Sequence, residues 1–193
     1  MNPPPYLDRK FVLQILHDAF DRCANYDYAW GYILHEADLR ASVYGYTRAI
    51  LDMSPDWRVF CDISCSEIKP DLIFFRSSDG HDENETVEIL VEIKHWPTER
   101  QIRNDIKKLI KLKKKFERQR LPPTLVFIAI LGNKIDKIGD GKPDELERKF
   151  RKNDVKIWFR RHRDLYCGPW NKSENSDPWH HYLKSISKAS RAR

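Results

Sequence analysis

Apolar and polar positions recur along this chain with two periods, one typical of helices and one typical of extended strands. Apolar side chains recur near helical spacing from Leu7 to Phe20, which predicts a helix over residues 8–23. A less regular stripe predicts a second helix over residues 32–51, which Ser54-Pro55-Asp56 ends. Three apolar segments with polar breaks between them then favour strands. These predicted strands span residues 57–64, 71–76 and 86–96.

A second group of elements follows Pro97, which ends the third predicted strand. Thr98 and Gln101 have the spacing of a capping box, so a helix is expected to start there and to continue to about residue 119. Residues 124–131 form a continuous apolar run, which predicts a strand covered on both faces. The remaining predictions are a loop at 132–143, a short helix at 144–152, a strand at 155–160 and a mobile tail at 185–193.

The second and third predicted strands should form a hairpin. A polar run containing Asp79-Gly80 lies between them, and Asp-Gly between apolar runs is a strong turn signal. If the loop is centred between residues 81 and 82, Asp71 lies opposite Glu92 and Arg76 lies opposite Val87. The pattern therefore predicts two carboxylates on neighbouring antiparallel strands.

Strand side chains point alternately to opposite faces of a sheet. Val87, Ile89, Val91 and Ile93 should therefore share one face, and the opposite face should hold Glu88, Leu90, Glu92 and Lys94. With Asp71 added, two carboxylates and a lysine converge on one spot. Such a group suits a hard cation that prefers oxygen ligands and acts beside a reacting water.

The residues Pro70-Asp71 and Glu92-Ile93-Lys94 resemble the motif of the PD-(D/E)xK nuclease superfamily, which has the restriction-endonuclease-like fold. The resemblance covers residues 32–131. It implies an α/β fold in which a mixed β-sheet of four to five strands is flanked by helices. The family core, in the order αβββαβ, would carry an extra N-terminal helix and a C-terminal extension.

The resemblance also implies roles for individual residues. Asp71, Glu92 and the backbone carbonyl of Ile93 would bind Mg²⁺ or Mn²⁺. Lys94 would position or deprotonate the attacking water, or stabilise charge near the scissile phosphate. Glu36 is a further candidate metal ligand and catalytic residue, because family members often place an acid on the helix before the first strand. The alternative for Glu36 is a surface ion pair with Arg40, one helical turn away.

Two other places in the chain match the same short motif. One is Pro55-Asp56 with Glu67-Ile68-Lys69, and its midpoint falls in an apolar strand rather than in a turn. The other is Pro143-Asp144 with Asp154-Val155-Lys156, and its midpoint falls in a predicted helix. Only the match at Asp71 and Glu92 encloses a turn between two strands.

Charge is distributed unevenly along the chain. Residues 1–99 carry 9 basic and 18 acidic side chains, whereas residues 100–120 carry 10 basic and 2 acidic ones. Residues 148–193 carry 13 basic and 4 acidic ones. A lone lysine-rich helix is usually a solvated face, but next to a metal-site motif it favours contact with phosphates. The predicted nucleic-acid-binding residues are Arg100, Arg103, Lys107, Lys108, Lys111, Lys114 and Lys115.

Composition limits the possible classes of protein. The 193 residues, 33% of them charged, suit a single soluble domain. We divide it into an N-terminal helix and connection (1–30), a core (31–131), a C-terminal extension (132–184) and a tail (185–193). No apolar run is long enough to span a membrane, and no signal peptide is recognisable. Free thiols in a reducing cytoplasm are expected for Cys23, Cys61, Cys65 and Cys167.

Several other groups have a structural explanation. His95 should point to the face opposite Lys94, Asp105 should pair with Lys108, and the acids of residues 81–85 should lie in a solvated loop far from Asp71. Aromatic residues around the core, such as Tyr28 and Trp30, either pack or stack on bases of single strands.

The sequence therefore favours a metal-dependent nuclease, with DNA as the expected partner. The alternative is a catalytically inactive or partner-dependent nucleic-acid-binding subunit with the same fold. A third possibility is a regulatory protein whose basic helix binds an acidic partner. A homodimer or a larger nuclease, defence or mobile-element assembly would be compatible with each of the first two.

Overall fold

A computed structural model describes residues 7–28, 30–52, 54, 56–63, 69–77, 85–116, 122–132 and 155–165. Within these residues, five strands form one mixed sheet in the order of the chain. The second strand pairs antiparallel with the first and the third, whereas the fourth pairs parallel with the third and the fifth. The strands are β1 (Trp57–Cys61), β2 (Leu72–Ser77), β3 (Glu85–His95), β4 (Thr124–Leu131) and β5 (Val155–Arg161).

Helices cover both faces of this sheet. The helices are α1 (Arg9–Arg22), a π-helix (Cys23–Tyr28), α2 (Glu36–Leu51), α3 (Glu99–Lys115) and a short α4 (His162–Leu165). The first three pack on one face, with Ile89, Val91 and Ile93 of β3. The apolar stripe of α3 packs on the other face, with Leu90 and Phe127. The predicted fold class, an α/β fold with a mixed sheet flanked by helices, is confirmed.

The elements differ from the predicted ones mainly at their ends. The helix expected from residue 32 begins at Glu36, because the carboxylate of Asp38 accepts hydrogen bonds from the backbone N–H groups of Leu34 and His35. The connection expected after α1 is instead the π-helix. Strand β1 ends at Cys61 rather than at residue 64, since Asp62 turns the chain with a φ of 59°.

The predicted capping box at the start of α3 is confirmed. The Thr98 side chain accepts from the backbone N–H of Gln101, and the Gln101 side chain accepts from the backbone N–H of Thr98. The helix ends at Lys115, earlier than expected. The fully apolar strand β4 is buried along almost its whole length, as predicted.

One part of the predicted hairpin register is wrong. Leu72 pairs with Val91, which places Asp71 beside Glu92 as expected. The register then shifts between Phe74 and Phe75, so Arg76 lies opposite Thr86 and not Val87. A β-bulge of this kind puts one extra residue into β3 and reverses the faces beyond it.

The bulge corrects the predicted faces of two residues. Val87 packs on the α3 side with Leu90, not with Ile89 and Val91. Glu88 leaves the face of Glu92 and forms an ion pair with Arg9 of α1, on the other side of the sheet. The extra residue of the bulge is thus Glu88, and its buried carboxylate pairs with an arginine that is far away in the sequence.

Some predictions fall outside the described residues. They are the helix at 144–152, most of the loop at 132–143, the tail at 185–193, the thiols of Cys65 and Cys167, and the acids Glu67, Asp82, Glu83, Asp144 and Asp154. Cys23 and Cys61 are free thiols, as expected. Glu85 belongs to β3 and forms an ion pair with Arg58, so it is not part of a solvated loop. Among the described helices, none is both long and apolar enough to cross a membrane.

Candidate active site

The two predicted carboxylates meet where β2 and β3 lie side by side. Asp71 immediately precedes β2, and its backbone N–H donates to the carbonyl oxygen of Val91 at 3.0 Å. Its Oδ2 accepts a hydrogen bond from the backbone N–H of Ile93 at 2.7 Å. Asp71 and Glu92 are each only 7% exposed. The strand pairing therefore fixes both acids, and the predicted clustering is confirmed.

Lys94 lies between two of the predicted acids. Its Nζ is 3.0 Å from Oε1 of Glu92 and donates to Oε1 of Glu36 at 2.8 Å. Glu36 is the first residue of α2, so the start of this helix reaches the end of the central strand. The structure thus brings together the side chains of all four residues proposed for catalysis: Glu36, Asp71, Glu92 and Lys94.

Arg40 belongs to the same group, and the sequence interpretation missed it. Its Nη1 donates to Oδ1 of Asp71 at 2.9 Å and lies 3.1 Å from Oδ1 of Asp62. The i,i+4 spacing from Glu36 offers a surface ion pair only as the alternative to a site role for Glu36. The same spacing places both side chains on one face of α2, where each pairs with a site residue instead.

Burial and crowding alter the protonation of the site. Burial raises the pKa of Glu92 to about 7, with a further increase from Asp71 and a partial offset from Lys94. Burial alone would lower the pKa of Lys94, but Glu92, Glu36 and Asp71 together raise it above its ordinary value. Lys94 is therefore an ammonium group at neutral pH, while Glu92 exchanges its proton there.

Helix α3 adjoins the site through one buried acid. Asp105 is 5% exposed, and its Oδ1 lies 2.6 Å from Nζ of Lys108, which confirms the predicted pair. The negative charge of Asp105 also contributes, as the smallest of several causes, to the raised pKa of Glu92. The seven basic residues predicted to bind nucleic acid are all exposed on this helix. Arg103 also bonds to Glu99.

The donor set suits a hard divalent cation. Two buried carboxylates, those of Asp71 and Glu92, lie at neighbouring positions of the hairpin. Oxygen donors of this kind are the ligands that Mg²⁺ and Mn²⁺ prefer. Within the described ranges, no three side chains of His, Cys, Asp or Glu already converge as a complete metal site. In this structure, Arg40 forms an ion pair with Asp71, and Lys94 forms ion pairs with Glu92 and Glu36.

His95 lies on the other side of β3 from the carboxylates, as predicted. Its ring stacks on Trp96, with centroids 5.2 Å apart, and meets the edge of Tyr28 in the π-helix. Burial lowers the pKa of His95 to about 4, and His35 and His162 add to this effect. It is therefore a neutral aromatic group in a cluster beside the site.

Comparisons with known proteins identify one distant structural match. No protein-family profile and no curated protein matches the chain. The structure of NucC from E. coli MS115-1, in its cAAA-bound form, resembles it over 73% of this chain and 70% of that chain. The sequence identity is 11% and the TM-score is 0.39.

Proposed function

We propose that this chain is a metal-dependent nuclease of the PD-(D/E)xK type that hydrolyses phosphodiester bonds, with DNA as its substrate. The observation that carries the proposal is the buried cluster of Asp71, Glu92 and Lys94, joined by Glu36. Burying charged groups together is costly unless they are paired or serve a function. Here the cluster lies at the surface of a sheet, next to a strongly basic helix.

Asp71, Glu92, the carbonyl of Ile93 and Glu36 would hold Mg²⁺ or Mn²⁺. When bound, such an ion activates a water molecule and reduces the negative charge at the phosphorus. In the described arrangement, Arg40 neutralises Asp71, and Lys94 neutralises Glu92 and Glu36. The two cationic side chains thus hold the carboxylates in position and compensate their charge.

The protonation of Lys94 favours one of its possible roles. Because neighbouring carboxylates raise its pKa, Lys94 donates hydrogen bonds and does not readily accept a proton. A lysine in this state suits positioning of a water molecule, or stabilisation of charge on the phosphate, better than deprotonation. The proposal therefore assigns Lys94 an electrostatic and positioning role.

The site is tested by replacing Asp71 with asparagine, which keeps the shape and removes the charge. We expect wild-type protein to cut DNA with Mg²⁺ or Mn²⁺ and not with EDTA. We expect Asp71→Asn to cut at least about 100-fold more slowly. Mutation of residues that merely hydrogen-bond to a metal ligand already lowers metal affinity or activity by about 10- to 100-fold. Supercoiled, linear duplex and single-stranded DNA and RNA should be compared in one assay.

Asp62→Asn is the matched control for this substitution. Asp62 also contacts Arg40, but its side chain is 42% exposed and it is outside the proposed ligand set. It should retain cleavage. Wild-type protein that cuts no substrate but shifts DNA in gels would contradict the proposal. It would support a nucleic-acid-binding subunit of the same fold.

Phosphate contacts by α3 can be tested separately from cleavage. Lys107 and Lys111 are exposed and one helical turn apart. If both contact phosphates, the Lys107→Ala/Lys111→Ala variant should reduce the slope of log affinity against log salt by about 1.8, or about 0.9 for each contact. Fluorescence anisotropy between 50 and 300 mM salt, in EDTA, gives this slope.

Lys10→Ala is the control for the lysine variant. Lys10 is an exposed lysine on α1, which packs on the opposite face of the sheet from α3. The control should keep the wild-type slope. An unchanged slope in the α3 variant would show that this helix is simply a solvated face.

A further inference from the structure

Trp96 is an exposed aromatic residue at the end of the strand that carries Glu92 and Lys94. It follows β3 directly and lies two residues after Lys94 in the sequence. About half of its surface, 53%, is exposed. Its φ is 52°, a left-handed conformation that is rare and strained for a large side chain. The fold thus maintains a costly conformation to keep a large apolar ring at the surface.

Specific contacts fix the orientation of this ring. The indole Nε1–H donates to Oη of Tyr28 at 3.1 Å, and the same Oη is 2.6 Å from Nδ1 of His162. His95 stacks on the ring at an interplanar angle of 22°, and His162 meets it edge-on. Together, these groups hold the indole in one position although it is half exposed.

Gly132 provides the space for this arrangement. A Cβ atom at position 132 would lie 3.0 Å and 3.1 Å from two indole carbons, which is closer than side chains normally approach. The backbone N–H of Trp96 also donates to the carbonyl of Ile130 in β4, at 2.8 Å. Contacts from β4, the π-helix and α4 therefore all support one exposed side chain.

The position of Trp96 connects it with the groups that would hold a phosphodiester backbone. Lys94 lies on the N-terminal side, and α3 with its exposed basic residues begins three residues later, at Glu99. The indole contacts the π-helix, on the face opposite α3, so a strand that contacts α3 and is cut beside Lys94 would reach it by passing around the end of β3. The positive charge of α3 thus favours a polyanion, such as a nucleic acid, over an uncharged ligand.

We propose that Trp96 stacks on an unpaired nucleobase next to the phosphodiester that is cut, so that the preferred substrate is single-stranded or locally unpaired. This inference rests on the nuclease function proposed above and specifies its substrate class. Indole rings bind bases through their faces without selecting a sequence. A base inside a duplex is already stacked on both sides, whereas an unpaired base has a free face.

Binding of oligonucleotides tests this inference without cleavage. Labelled oligothymidylate of 20 nucleotides and the corresponding duplex with oligodeoxyadenylate should be titrated in EDTA and in Ca²⁺, which accepts the same oxygen ligands. We expect Trp96→Ala to bind the single strand about 5- to 150-fold more weakly than wild type. Trp96→Phe should recover most of the affinity, and neither variant should change duplex binding as much.

Phe11→Ala is the matched control, because Phe11 is exposed to a similar extent, 54%, but lies on α1, in the first turn of the helix that begins at Arg9. It should bind the single strand like wild type. Circular dichroism melting of each variant checks that the fold persists. If Trp96→Ala unfolds, the comparison of Trp96→Phe with Trp96→Leu gives the same test of an aromatic face.

The outcomes separate this inference from the nuclease proposal. Single-strand binding that depends on Trp96, in a protein that cuts nothing, would support stacking and contradict the nuclease. Cleavage with equal single-strand affinity in wild type and Trp96→Ala would overturn stacking and leave the nuclease intact. If light scattering shows that wild type is a dimer and Trp96→Ala is not, while the two bind DNA equally well, stacking would also be overturned. Trp96 would then belong to a protein interface. Absence of single-strand binding by wild type in both conditions would overturn it as well.

Discussion

Replacing Lys94 with alanine is expected to slow metal-dependent cleavage by about 100- to 1,000-fold, the range for removal of one group that stabilises charge in the transition state. The substitution removes the ammonium group that contacts both Glu92 and Glu36. It leaves the strand pairing that holds Asp71 and Glu92 unchanged. Single-turnover cleavage at saturating metal and protein measures the chemical step directly.

Lys69→Ala is the control for the loss of a positive charge near the site. Lys69 contacts Asp62 at 3.3 Å, and its side chain is 53% exposed. We expect it to cut at the wild-type rate. Cleavage by Lys94→Ala at a rate similar to that of Lys69→Ala would mean that Lys94 only compensates the charge of its neighbours.

Glu92→Gln is expected to stabilise the metal-free protein above neutral pH while it abolishes metal-dependent cleavage. The pKa of Glu92 is about 7 in the folded protein, against an ordinary value of 4.5. The folded state therefore binds this proton more tightly than the unfolded state. Its contribution to stability is present below about pH 4.5, decreases as the pH rises and is lost above about pH 7. Glutamine, which does not ionise, avoids this loss.

The expected gain for Glu92→Gln at pH 8 is on the order of 3 kcal/mol, and it should vanish near pH 4.5. Urea unfolding in EDTA at several pH values measures both limits. Glu88→Gln is the control, because Glu88 is buried to a similar extent but pairs with Arg9. It should lose stability through the broken ion pair. Parallel stability curves for wild type and Glu92→Gln would show that Glu92 ionises without penalty.

Local sequence signals were sufficient to predict the centre of the hairpin and of the site. Alternation in β3 and the turn signal placed Asp71 opposite Glu92, and the described register agrees. The same signals could not reveal the bulge after Phe74. Val87 and Glu88 alternate normally in the sequence, and the partner that holds Glu88 is Arg9, which is 79 residues away.

The orientation of α2 was not readable from the sequence either. Glu36 and Arg40 are one turn apart, which fits both a surface pair and a shared face toward other elements. Packing of Leu39 and Val43 in the core decides the question, because it turns the helix so that Glu36 reaches Lys94 and Arg40 reaches Asp71. This information is tertiary and is absent from a helical pattern alone.

The bulge in β3 also separates the hairpin into two independently adjustable parts. On one side of the bulge, pairing of Leu72 with Val91 fixes the positions of Asp71 and Glu92. On the other side, Ser77 pairs with Glu85, and residues 78–84 connect the two strands. Because Glu88 is tied to α1, a change in the length of that connection need not be transmitted as a slip toward Asp71. Insertions between Ser77 and Glu85, such as a reporter or an added recognition segment, are therefore expected to leave the chemistry of the sheet in place.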